Sequence, residues 1–240
     1  MNPKRVTHYL LAAILIAVVF FSLPTALFAQ QGDDNSLLFP QDSQPFGMTY
    51  GDWAAAWWQY VFSIPASTNP LLDTTGEYCN VAQSSGPVFF LNSTPYPDVL
   101  VTRTCTVPSK ALLLATGGTE CSTLESPPFN GTDPQELRTC AGTIVDGIDI
   151  NRLKLTIDGK KVHDLRLFRA QSPFFDFIMP ANDNILGLEG VTSGSSVSDE
   201  YIVMLKPLSR GNHVIHFEGA YVSGPFAGVW FGVTYNLTVQ

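Results

Sequence analysis

Five carboxylates are placed where a pair could act on a substrate: Glu120, Glu125, Asp133 and Glu136 in the stretch 117 to 140, and Asp176 inside "PFFDFIM". Hydrolysis of a glycosidic bond needs two such groups about 5 to 9.5 Å apart across a cleft. The chain carries 21 acidic residues, so some pair always looks well spaced. Acidic side chains are seldom buried, which favours a solvated surface over a catalytic pair. His213 and His216 fall on opposite faces of one extended segment and cannot share a metal, although His216 and Glu218 share a face. No G-x-S-x-G elbow, phosphate loop or metal-spaced Cys/His cluster occurs, so no catalytic residue, cofactor or metal ligand is nominated.

Arg103 is the most informative single residue. In "VLVTRTCTV" the period-two alternation sets it with Val99, Val101, Cys105 and Val107, while Leu100, Thr102, Thr104 and Thr106 take the other face. An arginine among core valines needs a compensating partner, and Glu120 and Asp176 are the leading candidates for a buried ion pair or pocket. Asp176 sits between phenylalanines, and Glu120 precedes a cysteine whose disulfide would hold it in place.

Those residues must be delivered by a fold, and the first 29 residues say where that fold goes. Lys4 and Arg5, an apolar run from Tyr9 to Phe28 and small residues up to Ala29 predict a cleaved export signal. The run approaches membrane-span length, so an uncleaved anchor is the rival, and Pro24 favours cleavage. Taking Lys4 and Arg5 away from 13 basic residues and leaving all 21 acidic ones gives a net charge of about −10. Such a surface repels phosphate backbones, so nucleic acid is excluded as a partner, and a membrane is met only through the N-terminal segment. The expected location is secreted or at the cell surface, periplasmic in a Gram-negative host.

Cys79, Cys105, Cys121 and Cys140 would be delivered to an oxidising compartment, where an even count predicts disulfides. Three pairings exist; Cys79 with Cys105 and Cys121 with Cys140 is favoured because each closes a short loop, worth about 3 kcal/mol. Asn92, Asn130 and Asn236 each open an N-x-S/T sequon at a turn or on a wet strand face, where a glycan could attach in a suitable host.

Residues 30 to 48 lack periodicity and read as a flexible spacer; 49 to 240 read as one domain. Thr49 and Asp52 form a capping pattern before an Ala-rich run that Pro65 stops, predicting an amphipathic helix over 49 to 64. Tyr60, Trp53, Trp57, Val61, Ala54 and Trp58 share its apolar arc, with Ala55 and Gln59 opposite. A core anchor is favoured over an aromatic platform for sugars or lipids made by Trp53, Trp57 and Trp58, with Trp58 nearest the rim.

Nine strands follow, at 87 to 92, 99 to 107, 111 to 116, 152 to 157, 162 to 168, 173 to 179, 200 to 208, 212 to 219 and 229 to 239. Asp158-Gly159 is the strongest hairpin turn. With no helices between them the strands predict a mainly β fold, an antiparallel β-sandwich of jelly-roll or immunoglobulin-like type, with the stretch 117 to 150 as an irregular, disulfide-stapled excursion.

The motifs "WAAAWWQYVFSIP", "TRTCTVPSKALLL" and "PLSRGNHVIHFEG" together resemble a group of exported, mostly bacterial proteins of uncharacterised activity. The closing "PLSRGNHVIHF" and "VTYNLTV" are similar to the last strands of immunoglobulin-like sandwiches. The reading that follows is a secreted, non-catalytic binding or structural module with a glycan or cell-surface partner; the alternative is a secreted hydrolase acting on a glycan through carboxylates of the 117 to 140 region.

Overall fold

A computed structural model describes residues 34 to 240. The expected export signal lies outside the described residues. Among them are ten strands in two five-stranded sheets and two α-helices, a mainly β, sandwich-like fold. No helix among them is long and apolar enough to cross a membrane.

The opening helix, α1 (Tyr50–Ser63), starts on the expected cap: the Asp52 amide donates to the Thr49 hydroxyl, and the Thr49 amide donates back to the Asp52 carboxylate. Its aromatic arc is buried except for half-buried Trp58, but so is Ala55, on the side expected to be open, together with Phe62. A second, smaller core formed with Phe175, Phe177 and Met179 covers them, and Phe62 stacks on Phe177 with ring centroids 3.9 Å apart. Gln59 does stay exposed.

The first sheet runs β1 (Val88–Leu91), β3 (Ala111–Ser122), β8 (Ser193–Leu205), β6 (Arg169–Gln171), with β7 (Phe175–Ile178) also paired to β8. The second runs β2 (Leu100–Val107), β10 (Trp230–Val239), β9 (Gly211–Ala220), β4 (Lys154–Ile157), β5 (Lys160–Lys161). Both sheets are mixed, not antiparallel: β1 pairs parallel to β3, and β2 parallel to β10. A parallel pair needs a long crossover but not a helix. Between β1 and β3 the crossover is β2, which lies in the other sheet.

Two segments depart further from the sequence reading. Residues 162 to 168 are not a strand: Asp164 has φ 55°, and Leu165–Phe168 is a 3-10 turn. The stretch 117 to 150 is largely regular, because β3 runs on to Ser122 and α2 (Pro134–Val145) follows. The Asp133 carboxylate caps α2 by accepting from the Gln135 and Glu136 amides. The disulfides are Cys79–Cys105 and Cys121–Cys140, as the loop-closure argument favoured, and the second ties α2 to β3. The hairpin turn at Asp158-Gly159 joins β4 to β5 with φ 52° and 77°, both left-handed.

From Asp34 the expected spacer is docked. Leu38 is buried and bridges to Leu205, the Phe39 amide donates to the Met204 carbonyl, and the Pro45 carbonyl accepts the Trp53 indole N–H at 2.9 Å. Its apolar "SLLF" is what binds it down, a patch too short to show any period.

Candidate functional site

Adjacent residues of a strand face opposite ways. On β8, Asp199 faces α2, with its Oδ2 beside Gly142, while Glu200 accepts the Trp58 indole N–H of α1 at 2.9 Å. The two helices therefore cover opposite faces of this sheet, and β8 is buried on both sides from Ser196 onward. On the α1 face, Glu120 of β3 stands opposite Ser198, which makes Glu120 and Glu200 diagonal neighbours, roughly 7 to 8 Å apart.

A bulge at Thr116 sets this register: Ala115 pairs with Ile202 but Gly117 pairs with Tyr201. Gly118 then lies opposite Glu200, and a Cβ there would fall 2.1 Å from the Glu200 Cβ. The consecutive glycines let Glu200 and the Phe231 ring approach the β3 backbone closely. They form part of the lining of a cleft of about 460 Å³. Trp57, Trp58 and Phe62 wall it from α1, Phe129 and Glu125 from the loop after β3, and Tyr221, Phe226 and Phe231 from the far side. Half-buried Ser93, Thr94 and Tyr96 lie along the same wall.

Three carboxyls converge on this cleft. Glu120 is 4% exposed and accepts the Ser196 hydroxyl at 2.6 Å; Glu125 accepts the Ser122 hydroxyl at 2.9 Å; Glu200 is 1% exposed. Burial, then repulsion from Glu125, pushes Glu120 well above the usual carboxylate range. Burial raises Glu125 as well. Burial pushes Glu200 up to about 8, against the opposing pull of the nearby Ser198 hydroxyl and of the Trp58 indole hydrogen bond.

A raised folded-state pKa means that the folded protein holds protons the unfolded chain has released. The stability due to Glu200 is full below about pH 4.5 and is lost as pH rises through about 8. Denaturant midpoints should therefore fall between pH 5 and pH 9, and Glu200→Gln should flatten that fall. A wild-type midpoint that climbs over the interval would show Glu200 to be ionised in the folded protein.

The other nominated residues go elsewhere. Asp133 and Glu136 serve the α2 N-terminus, Glu136 accepting from the Thr132 amide and hydroxyl. Asp176 is exposed and accepts the Ser195 hydroxyl at 2.7 Å. Arg103 is buried at 1% exposure, as expected, but it pairs with neither Glu120 nor Asp176. Its guanidinium donates to the backbone carbonyls of Asp73, Asn92 and Leu71 at 2.6, 2.6 and 3.1 Å, and to the Tyr235 hydroxyl at 2.6 Å. It also lies 5.4 Å from the Tyr235 ring centre. Glu120 is on the first sheet and Arg103 on the second, so the loop between α1 and β1 reaches Arg103 first.

Trp53 and Trp57 are buried, and Trp58 is half-buried at the cleft. Asn92 is 2% exposed, which excludes a glycan on the folded protein, because its backbone sits in the Arg103 cage. Asn130 and Asn236 are exposed. His213 binds Asp158 at 2.8 Å while His216 faces Thr234 and Glu218, on the opposite side of β9. Glu200 was not nominated, though in "SDEYIVML" its alternation with Ile202 and Met204 carries the same signal that exposed Arg103.

A scan against protein-family models finds no match, and a search of curated proteins finds none. A solved structure described as PbICP-C in complex with falcipain-2 aligns with 65% of this chain and 100% of its own, at 13% identity and a TM-score of 0.25. A score that low carries no argument about fold or function.

Proposed function

We propose that the protein is an exported, non-catalytic binding module whose ligand site is the cleft between α1 and the β3–β8 pair. One observation carries this: a cleft of about 460 Å³, walled by aromatic rings, into which Glu120, Glu125 and Glu200 converge. Interiors are otherwise packed to crystal density, and an apolar cleft with a few convergent polar groups is the usual form of a small-molecule site. The two disulfides suit an oxidising compartment.

A second reading, a glycan hydrolase, draws on the placement of Glu120 and Glu200 as diagonal neighbours on one sheet face. Against it stands the direction of the shifts. Acid/base work needs one carboxyl neutral and one ionised, and burial favours the neutral form at Glu120 and Glu200 alike, the two members of that pair.

A fragment library read by thermal shift separates the readings. Hits should stabilise the wild type and lose their effect on Ser93→Trp, which places an indole in the cleft wall, while a panel of chromogenic glycosides stays unhydrolysed. Glycoside turnover abolished by Glu120→Gln would make the protein an enzyme.

A further inference from the structure

The chemistry of the cleft selects its ligand, and the selection rests on the binding reading above. We propose that the cleft takes an organic cation, an ammonium group on an apolar body, with its charge held between Trp58, Glu120 and Glu200.

Charge complementarity is the first support. Among the described residues, no Lys, Arg or His forms an ion pair with Glu120, Glu125 or Glu200. Arg169, on the neighbouring strand β6, is turned to the α2 face, where it binds Asp199 at 2.9 Å and Asp146 at 2.7 Å. Three carboxyls are thus gathered with no counter-charge of the protein's own, an arrangement that is costly unless protons or a ligand neutralise it.

The walls supply the second. Aromatic faces attract a cation within about 6 Å of the ring centre, with tryptophan the strongest. Trp57 and Trp58 stand edge to face with centroids 4.9 Å apart, and Phe129 and Phe226 lie across the cleft, 5.6 Å from one another. Rings with carboxyls between them suit an alkylammonium group, which is too large and too weakly hydrated for a metal-type site.

A third support is Ser198. It is fully buried on the same strand face as Glu200, and its hydroxyl makes no hydrogen bond of ordinary geometry, yet it lies close enough to Glu200 to favour the ionised form. It is therefore available to a carboxylate that a bound cation has ionised.

The groups facing Glu200 are the Trp58 indole from α1, Glu120 from β3 and Ser198 on its own strand; Asp199 adds a repulsion from the other face, and Glu125 from the loop acts through Glu120. None is positive. A cation entering this set takes the place of a proton: the carboxylic acid releases H⁺ to solvent as the ammonium arrives, and charge balances. Affinity for a fixed-charge cation should therefore increase with pH.

Choline and 3,3-dimethyl-1-butanol, its neutral carbon isostere, test this on the full-length protein, with the Trp58 indole N–H resonance as reporter. At pH 9 choline should bind at least tenfold more tightly than the alcohol, and its binding should weaken about tenfold or more at pH 6. Glu200→Gln should lose both preferences, with Glu120→Gln as the second variant should the first fold poorly. Equal or tighter binding of the alcohol overturns the cation inference and leaves the cleft a site for neutral ligands. If neither probe shifts the resonance, the inference also fails, and the fragment screen judges the cleft on its own.

Discussion

Arg103→Met should destabilise the protein by about 3 to 5 kcal/mol, the cost of breaking a buried charged network from one side. The methionine fills the space but donates nothing. It strands the carbonyls of Leu71 and Asp73, whose described hydrogen bonds come from Arg103 alone, and it leaves Asn92 with Tyr235 only. A buried acceptor without a partner costs roughly 1 to 3 kcal/mol. The Leu71 and Asp73 carbonyls belong to the long loop between α1 and β1, which Cys79–Cys105 also pins to β2 two residues from Arg103. Arg103→Lys should recover only part of the loss, since an ammonium cannot reach three diverging carbonyls as the planar fork does. Urea unfolding measures both. A loss under 1 kcal/mol for Arg103→Met would mean that the carbonyl cage does not form.

Trp57→Ala should cost about 3 to 5 kcal/mol, because the ring is 2% exposed and belongs to the main core, with only its edge reaching the cleft. Its indole also donates to the Leu91 carbonyl at 3.3 Å, so truncation frees the end of β1 as well. Trp58→Ala should cost less stability and more ligand affinity, because that ring is half-buried at the cleft and holds Glu200. Denaturation of the two variants side by side gives the contrast. Equal losses would remove the distinction between Trp57, which is mainly a core anchor, and Trp58, which is mainly a site wall.

What could be read in advance follows from what is local. The α1 cap needs only Thr49 and Asp52, three residues apart, and the Asp158-Gly159 turn needs two. The burial of Arg103 was legible because alternation fixes a face without knowing the neighbour. Its partners were not, since they are backbone carbonyls of a distant loop and leave no trace in residue type.

Helix α2 was legible and passed over. Asp133-Pro134 is a start signal, and Leu137, Ala141, Ile144 and Val145 recur at helical spacing. The turn residues of "SPPFNGTDP" masked it. The parallel pairs are a different matter: nothing in β2 or β10 says that strands some 130 residues apart will meet, because that depends on which sheet each strand joins.

The cleft itself lay between these cases. Gly117-Gly118 inside a strand signals a bulge or a close approach, and Glu200 repeats the Arg103 signature. Neither becomes a site until the bulge at Thr116 aligns them with Trp58. Anomalous diffraction from crystals soaked separately in 4-bromobenzylammonium and in bromobenzene tests the central claim most directly. A bromine peak within the cleft, among Trp58, Phe129 and Phe231, is the predicted result; peaks confined to the outer surface with both compounds, and an empty cleft, would contradict it.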